Sequence, residues 1–142
     1  MLISYGAVLV AGLMPVVCAG IAKSGFKGYD NSDPRAWLSR QTGFRARANA
    51  AQANCFEAFP FFAVGVILAL LTGVEPDWVD ALAMLFIAFR VAYIFFYVTD
   101  KAKWRTMVWS GAYVVVHDDV SLNWCPEPES NRYARYERSN GF

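Results

Sequence analysis

The chain has 142 residues, 56% of them hydrophobic and 16% aromatic, and its 13 Lys and Arg nearly balance 12 Asp and Glu for a net charge of +1. That length suits one domain, and a mean hydropathy of +0.28 points to the membrane class. Scattered basic residues argue against a nucleic-acid partner, three widely spaced cysteines without a C-x-x-C pair argue against a disulfide framework, and a single His argues against a metal centre.

The first apolar run, residues 3–22, has no basic residue before it and so lacks the charged start of a secretory signal. It reads as a retained membrane span with Pro15 as a kink. Cys18 follows a bulky Val, unlike a lipoprotein cleavage site, and reads as a thiol buried in a helix. Residues 23–45, KSGFKGYDNSDPRAWLSRQTGFR, are rich in Gly, Asp, Asn and Pro and read as turns with an interfacial segment. The second span covers residues 46–71. Its wholly apolar part, residues 58–71, reaches only about 21 Å of a hydrocarbon core about 30 Å thick. The turns carrying Gln52, Asn54 and Glu57 must therefore lie in the membrane too.

A short acidic connection, residues 72–77, leads to the third span, residues 78–98, which holds Arg90. After the basic turn TDKAKWR comes a fourth apolar run, residues 106–116, which covers about 17 Å and stops at His117, Asp118 and Asp119. Such a run cannot cross a bilayer unaided. The expected division is a transmembrane domain, residues 1–116, and a polar tail, residues 117–142, whose mixed charge and missing hydrophobic period read as disorder. By the positive-inside rule, the loop with Lys23, Lys27, Arg35, Arg40 and Arg45 and the turn with Lys101, Lys103 and Arg105 face the cytoplasm. The connection with Glu75 and Asp77 faces the other side, with the N-terminus.

An ionisable side chain at a span centre costs about 2.5–3.5 kcal/mol on insertion scales and calls for a partner. By helical rise, Glu57 lies about 21 Å and Arg90 about 18 Å from the outer ends of their spans, within one turn of each other. Residues three, four and seven apart share a helix face. Arg47, Asn54 and Glu57 form one stripe of the second span. Arg90, Tyr93 and Tyr97 form one stripe of the third, and Arg105 follows at its cytoplasmic end. Together they would line a polar cleft open to the cytoplasm and suited to a zwitterionic or anionic ligand. The same residues also read as packing: a Glu57–Arg90 ion pair, interface aromatics at Tyr93 and Tyr97, and snorkelling Arg47 and Arg105. A proton or ion pathway is a third reading, resting on a single carboxylate. Cys55, about 100° around the helix from Asn54, reads as packing.

The stretch AQANCFEAFP with its N-x-x-E-x-x-P core, then FRVAYIFFY with R-x-x-Y-x-x-x-Y and a basic turn ending in Arg105, resembles the MAPEG family (membrane-associated proteins in eicosanoid and glutathione metabolism). The likeness is strongest to its small bacterial members, with the YDNSDPR loop and the RARANAAQ lead-in, and covers roughly residues 2–116. It implies an all-α, integral membrane four-helix bundle, multi-pass in a bacterial inner membrane. It further implies a homotrimer that holds glutathione between neighbouring subunits at the cytoplasmic side.

Under that resemblance, Asn54 and Glu57 match peptide and amine contacts, Gln52 a polar position before them, and Arg90, Tyr93 and Tyr97 the ligand contacts of the third span. Arg105 matches, within one residue, the arginine that stabilises the glutathione thiolate in catalytic members. The implied activity is that of a glutathione-dependent transferase or peroxidase acting on a hydrophobic electrophile or hydroperoxide, with glutathione as cosubstrate and no metal. A non-catalytic membrane protein keeping the scaffold is the alternative. The chain departs from the pattern at Ala50, where eicosanoid-forming members have Arg and Arg47 would have to supply the charge. It departs again at Ala58, where some members carry Tyr. The largest departure follows Val116: HDDVSLNWCPEPES looks like foreign sequence, expected from a frameshift or altered gene end that truncates the fourth helix.

Overall fold

A computed structural model describes residues 2–25 and 28–121. All regular elements among them are helices: α1 (Leu2–Ala22), α2 (Pro34–Ser39), α3 (Gly43–Leu71), α4 (Pro76–Val98) and α5 (Ala102–Ser121). Three helices are long and apolar enough to cross a membrane, Ile3–Ala22 within α1, α3 and α4. The protein is therefore an all-α integral membrane protein. At 1.5 Å per residue α3 extends about 43 Å, more than the hydrocarbon thickness, so its first turns, with Arg45 and Arg47, project beyond the core.

The helix ends follow local chemistry. Pro34 opens α2, and the Asp33 carboxylate accepts a hydrogen bond from the Ala36 amide at 3.1 Å. Just upstream, the Ser32 amide and hydroxyl donate to Asp30, which holds that exposed carboxyl below its ordinary range. Beyond α3, Gly73 takes φ +81°, and the amides of Val74 and Gly73 return to the carbonyls of Ala69 and Leu70. That is the Schellman closure, which needs a left-handed residue. The end of α4 repeats it with Asp100 at φ +65°, and Lys101 and Asp100 donating to Phe96 and Tyr97. Both turns reverse the chain within a few residues, so α3, α4 and α5 run antiparallel in sequence.

The closest packing joins α1 to α3 and α4 to α5, and α4 also touches α1 and α3. Small residues let these backbones approach: Ala7 and Ala11 on α1, Ala58 and Ala69 on α3, Ala83 on α4 and Ala112 on α5 are all buried. Between them Phe62 and Phe86 stack with ring centroids 4.0 Å apart. A Cβ at Gly111 would lie 3.1 Å from the Phe89 ring. Gly111→Val should therefore separate α4 from α5 and cost about 1–3 kcal/mol, read as a lower unfolding temperature in detergent.

The outward faces are as apolar as the core. Leu9, Leu13, Val16, Phe61, Leu71, Val91, Phe95 and Met107 are all more than half exposed. In water this surface would drive aggregation; against lipid chains it is at home. The start of α1 is closed by another helix: the Ser4 amide donates to the Asp80 carboxylate of α4 at 2.9 Å, and Ser4 is fully buried. Asp80 thus caps a helix distant in sequence. Asp80→Ala should cost about 0.5–2 kcal/mol, the usual loss for a removed cap, measured by unfolding in detergent.

α1 runs through Pro15 as a single helix, as a retained span with an internal Pro requires. One expectation changes here. The boundary expected after Val116 is not a helix boundary, because α5 continues through His117, Asp118 and Asp119 to Ser121. No Pro or Gly interrupts that stretch, so backbone hydrogen bonding propagates past the end of the apolar run. With 20 residues α5 has a span's length but not its composition, carrying Lys103 and Arg105 near its start and an acidic pair near its end. The rest of the expected tail, residues 122–142, lies outside the described residues.

Candidate functional site

Arg90 is the centre of the polar interior. It is 1% exposed, and among the described residues its partners are two from α3 across the interface and one a turn along α4 itself. Nη1 donates to Asn54 Oδ1 at 3.0 Å, Nη2 donates to Cys55 Sγ at 3.2 Å, and the guanidinium lies 4.6 Å from the centre of the Tyr93 ring. The α3 helix offers Asn54 and Cys55 together because α4 packs against the edge between their two faces. Glu57, exposed on α3, does not meet Arg90 directly. Its carboxylate accepts from Asn54 Nδ2 at 3.3 Å, so the expected Glu57–Arg90 ion pair is replaced by a relay through the Asn54 amide. An amide can do this because it presents an acceptor to the cation and a donor to the anion.

From Arg90 the line continues along α4 and onto α5. Tyr93, buried, meets Tyr97 edge-on with ring centroids 5.4 Å apart, and the Arg105 guanidinium sits 4.5 Å from the centre of the Tyr97 ring. Tyr93, Tyr97, Arg105, Thr106 and Trp109 line a groove of about 220 Å³. Its chemistry is a half-buried cation above the Tyr97 phenol, with the Tyr93 ring and an indole also lining it. Arg105 is positioned by the tight Asp100 turn, which starts α5 close against the end of α4 and brings its first turn over Tyr97.

Six of the eight residues expected at a site therefore form one chain of contacts, Glu57–Asn54–Arg90–Tyr93–Tyr97–Arg105. Two do not join it. Arg47 Nε donates to the Val98 carbonyl at 3.1 Å and Nη1 lies 3.6 Å from Asp100, so this side chain closes the C-terminal end of α4. A cation there satisfies a terminal carbonyl and complements the helix dipole. Gln52, half-buried, lies about 200° around α3 from Asn54 and is not among the partners of this line.

Cys55, read as packing, is packed in a buried cluster with Met14, Cys18, Ala51 and Tyr93, and it is in addition a direct partner of Arg90. Helical spacing placed it off the Asn54–Glu57 stripe, but a buried guanidinium has two faces to satisfy and takes the neighbouring residue as well. Thr106 and Trp109 were also missed. Trp109 lies four residues after Arg105, a spacing that puts both on one face of α5 and would have flagged it.

A sequence profile of the MAPEG family matches residues 3–117. The chain belongs to the MAPEG family. The match covers most of the chain and ends beside Val116, where the resemblance of the sequence was seen to stop. MAPEG membership associates the protein with glutathione and with transferase, peroxidase or related roles. No curated protein and no solved structure matches the chain. Among the described residues there is no group of His, Cys, Asp and Glu that could hold a metal.

Proposed function

We propose that the protein is a membrane-bound glutathione-dependent transferase or peroxidase, in which Arg105 stabilises the glutathione thiolate for attack on a hydrophobic electrophile or hydroperoxide. The observation that carries this reading is the position of Arg105, its guanidinium over Tyr97 at the groove that Tyr93, Thr106 and Trp109 complete. A cation close to a thiol lowers its pKa and raises the fraction present as nucleophile. The groove is smaller than the roughly 300–1,000 Å³ usual for small-molecule sites, which supports completion by a neighbouring subunit. On this reading the four long helices form a bundle that assembles as a homotrimer in a bacterial inner membrane. The groove faces the cytoplasm at the end marked by Lys101, Lys103 and Arg105. Asn54 and Glu57 would hold the peptide and amine of glutathione, and Trp109 would face the lipid-borne substrate.

The test uses the full chain solubilised in detergent, with calorimetric titration of glutathione and turnover of a chromogenic aryl halide and of a lipid hydroperoxide. Saturable glutathione binding with either turnover is the expected result; binding and turnover both absent would overturn the proposal.

One observation favours a second reading. Arg90 is enclosed, with Asn54, Cys55 and Tyr93 occupying its faces, which suits a structural centre in a protein that keeps the scaffold without turnover. Glu57→Gln separates the two. It weakens glutathione binding under the enzymatic reading, and under the scaffold reading it changes only stability.

A further inference from the structure

The corner where α4 passes into α5 carries charge that the proposed glutathione site does not use. Lys101 and Lys103 are both exposed, and among the described residues neither has a carboxylate partner. Asp100, the acid beside them in sequence, is taken by Arg47 at 3.6 Å. Arg105, the third cation of this turn, is held over the Tyr97 ring.

Below the two lysines the surface turns apolar. The Lys101 amide donates to the Phe96 carbonyl at 2.9 Å, which lays the start of α5 against the last turn of α4. Trp104 therefore lies beside Phe96, ring centroids 6.1 Å apart and planes 30° from parallel, and Phe96 meets Phe95 at 5.6 Å. Met107, 64% exposed, follows one helical turn after Lys103 and Trp104, while Trp104 and Phe95 are each 57% exposed. None of these four apolar residues lines the groove under Arg105.

We infer that this corner is a docking surface for an anionic phospholipid, with the headgroup phosphate at Lys101 and Lys103 and an acyl chain along Trp104, Phe96, Phe95 and Met107. Charge complementarity names the headgroup: two unpaired cations at the end of the spans attract a lipid of net negative charge far more than a zwitterionic one. The strip beneath names the class. A free phosphate or an acidic soluble protein would answer the lysines and leave the aromatic rings uncovered, whereas a phospholipid covers both. The indole of Trp104 suits that boundary, with its ring against hydrocarbon and an N–H that can donate to an ester carbonyl.

The α2 segment provides an internal comparison. Arg35 and Arg40 are exposed as well, but Asp30 and Asp33 stand exposed in the same segment, and its apolar Trp37 and Leu38 are half-buried. A headgroup there meets carboxylates and finds no open apolar strip. The inference does not rest on glutathione turnover, since its readout is bound lipid.

The test uses the full chain released from detergent in native mass spectrometry, titrated with phosphatidylglycerol or with phosphatidylcholine of the same acyl chains. The first phosphatidylglycerol should bind at least about fivefold tighter, the gain expected from one lysine acting on an anionic lipid. Lys101→Gln with Lys103→Gln should remove at least about fivefold of that affinity and leave phosphatidylcholine binding unchanged. Lys101→Arg with Lys103→Arg should keep it, and Arg35→Gln with Arg40→Gln should change it by less than about twofold, being screened from the site. Glycerol phosphate in large excess should not compete, because it lacks the chain. Equal binding of the two lipids, a loss in the Arg35 and Arg40 variant as large as in the lysine-to-glutamine variant, a loss in the charge-keeping variant, or displacement by glycerol phosphate would each overturn the inference.

Discussion

Replacing Arg105 with alanine is expected to lower kcat for glutathione conjugation by about 3- to 30-fold near neutral pH. A neighbouring cation lowers an acid's pKa by about 1–3 units, so its loss reduces the thiolate fraction by about 10- to 1,000-fold. The thiolate left behind is more basic and more nucleophilic, with a Brønsted slope near about 0.5, which restores about half of that loss on a logarithmic scale. The sign of the pH dependence follows. Removing the cation raises the thiol's pKa, so the deficit is largest below it and closes as pH rises through it. Arg105→Lys, which keeps the charge but not the planar face over Tyr97, should recover part of the rate. Stopped-flow pH profiles of the three proteins provide the check. An Arg105→Ala profile that overlays the parent would remove Arg105 from the chemistry even in an active enzyme.

Around Arg90 the larger effect is expected from the neutral partner. Asn54→Leu leaves Nη1 of a fully enclosed cation without its acceptor and Glu57 without its donor, and should cost about 2–4 kcal/mol. Arg90→Met removes the charge itself. Asn54 keeps Glu57, Cys55 stays packed in its buried cluster, and the cost should stay under about 2 kcal/mol. Unfolding of both variants in detergent should place Asn54→Leu below Arg90→Met. The reverse order would mean that the cation contributes more by its contacts than its burial costs. The same Arg90→Met protein separates the two functional readings, because lost glutathione affinity at retained stability would make Arg90 a ligand contact in the assembled protein.

Much of the fold was legible because lipid imposes few rules and strict ones. A run near twenty apolar residues has to be a helix when backbone groups have no water to turn to, and so the three spans could be read from residues alone. Arg90 could be found for the same reason, since a charge inside a span needs a partner, but depth named Glu57 where the structure gives Asn54. Asp80 as the cap of α1 and Arg47 on Val98 were not legible. Both are contacts between residues far apart in sequence, at helix ends whose meeting depends on how whole helices lie against each other.

The end of the fourth helix shows the difference between composition and conformation. Counting apolar residues stopped at Val116, whereas backbone hydrogen bonding carries α5 to Ser121, since polarity alone does not end a helix. By itself the sequence determined that this is an all-α membrane protein of the MAPEG family with a polar line buried between its spans, because hydropathy and spacing follow from residue order. Only the tertiary structure decided which side chains complete that line. It put Asn54 between Glu57 and Arg90, set Cys55 against the guanidinium, and sent Arg47 elsewhere. The physical reason is that helical periodicity specifies a face to within about 100°, while a hydrogen bond is won or lost over less than 1 Å, and only the packing of α1, α3 and α4 sets distances on that scale.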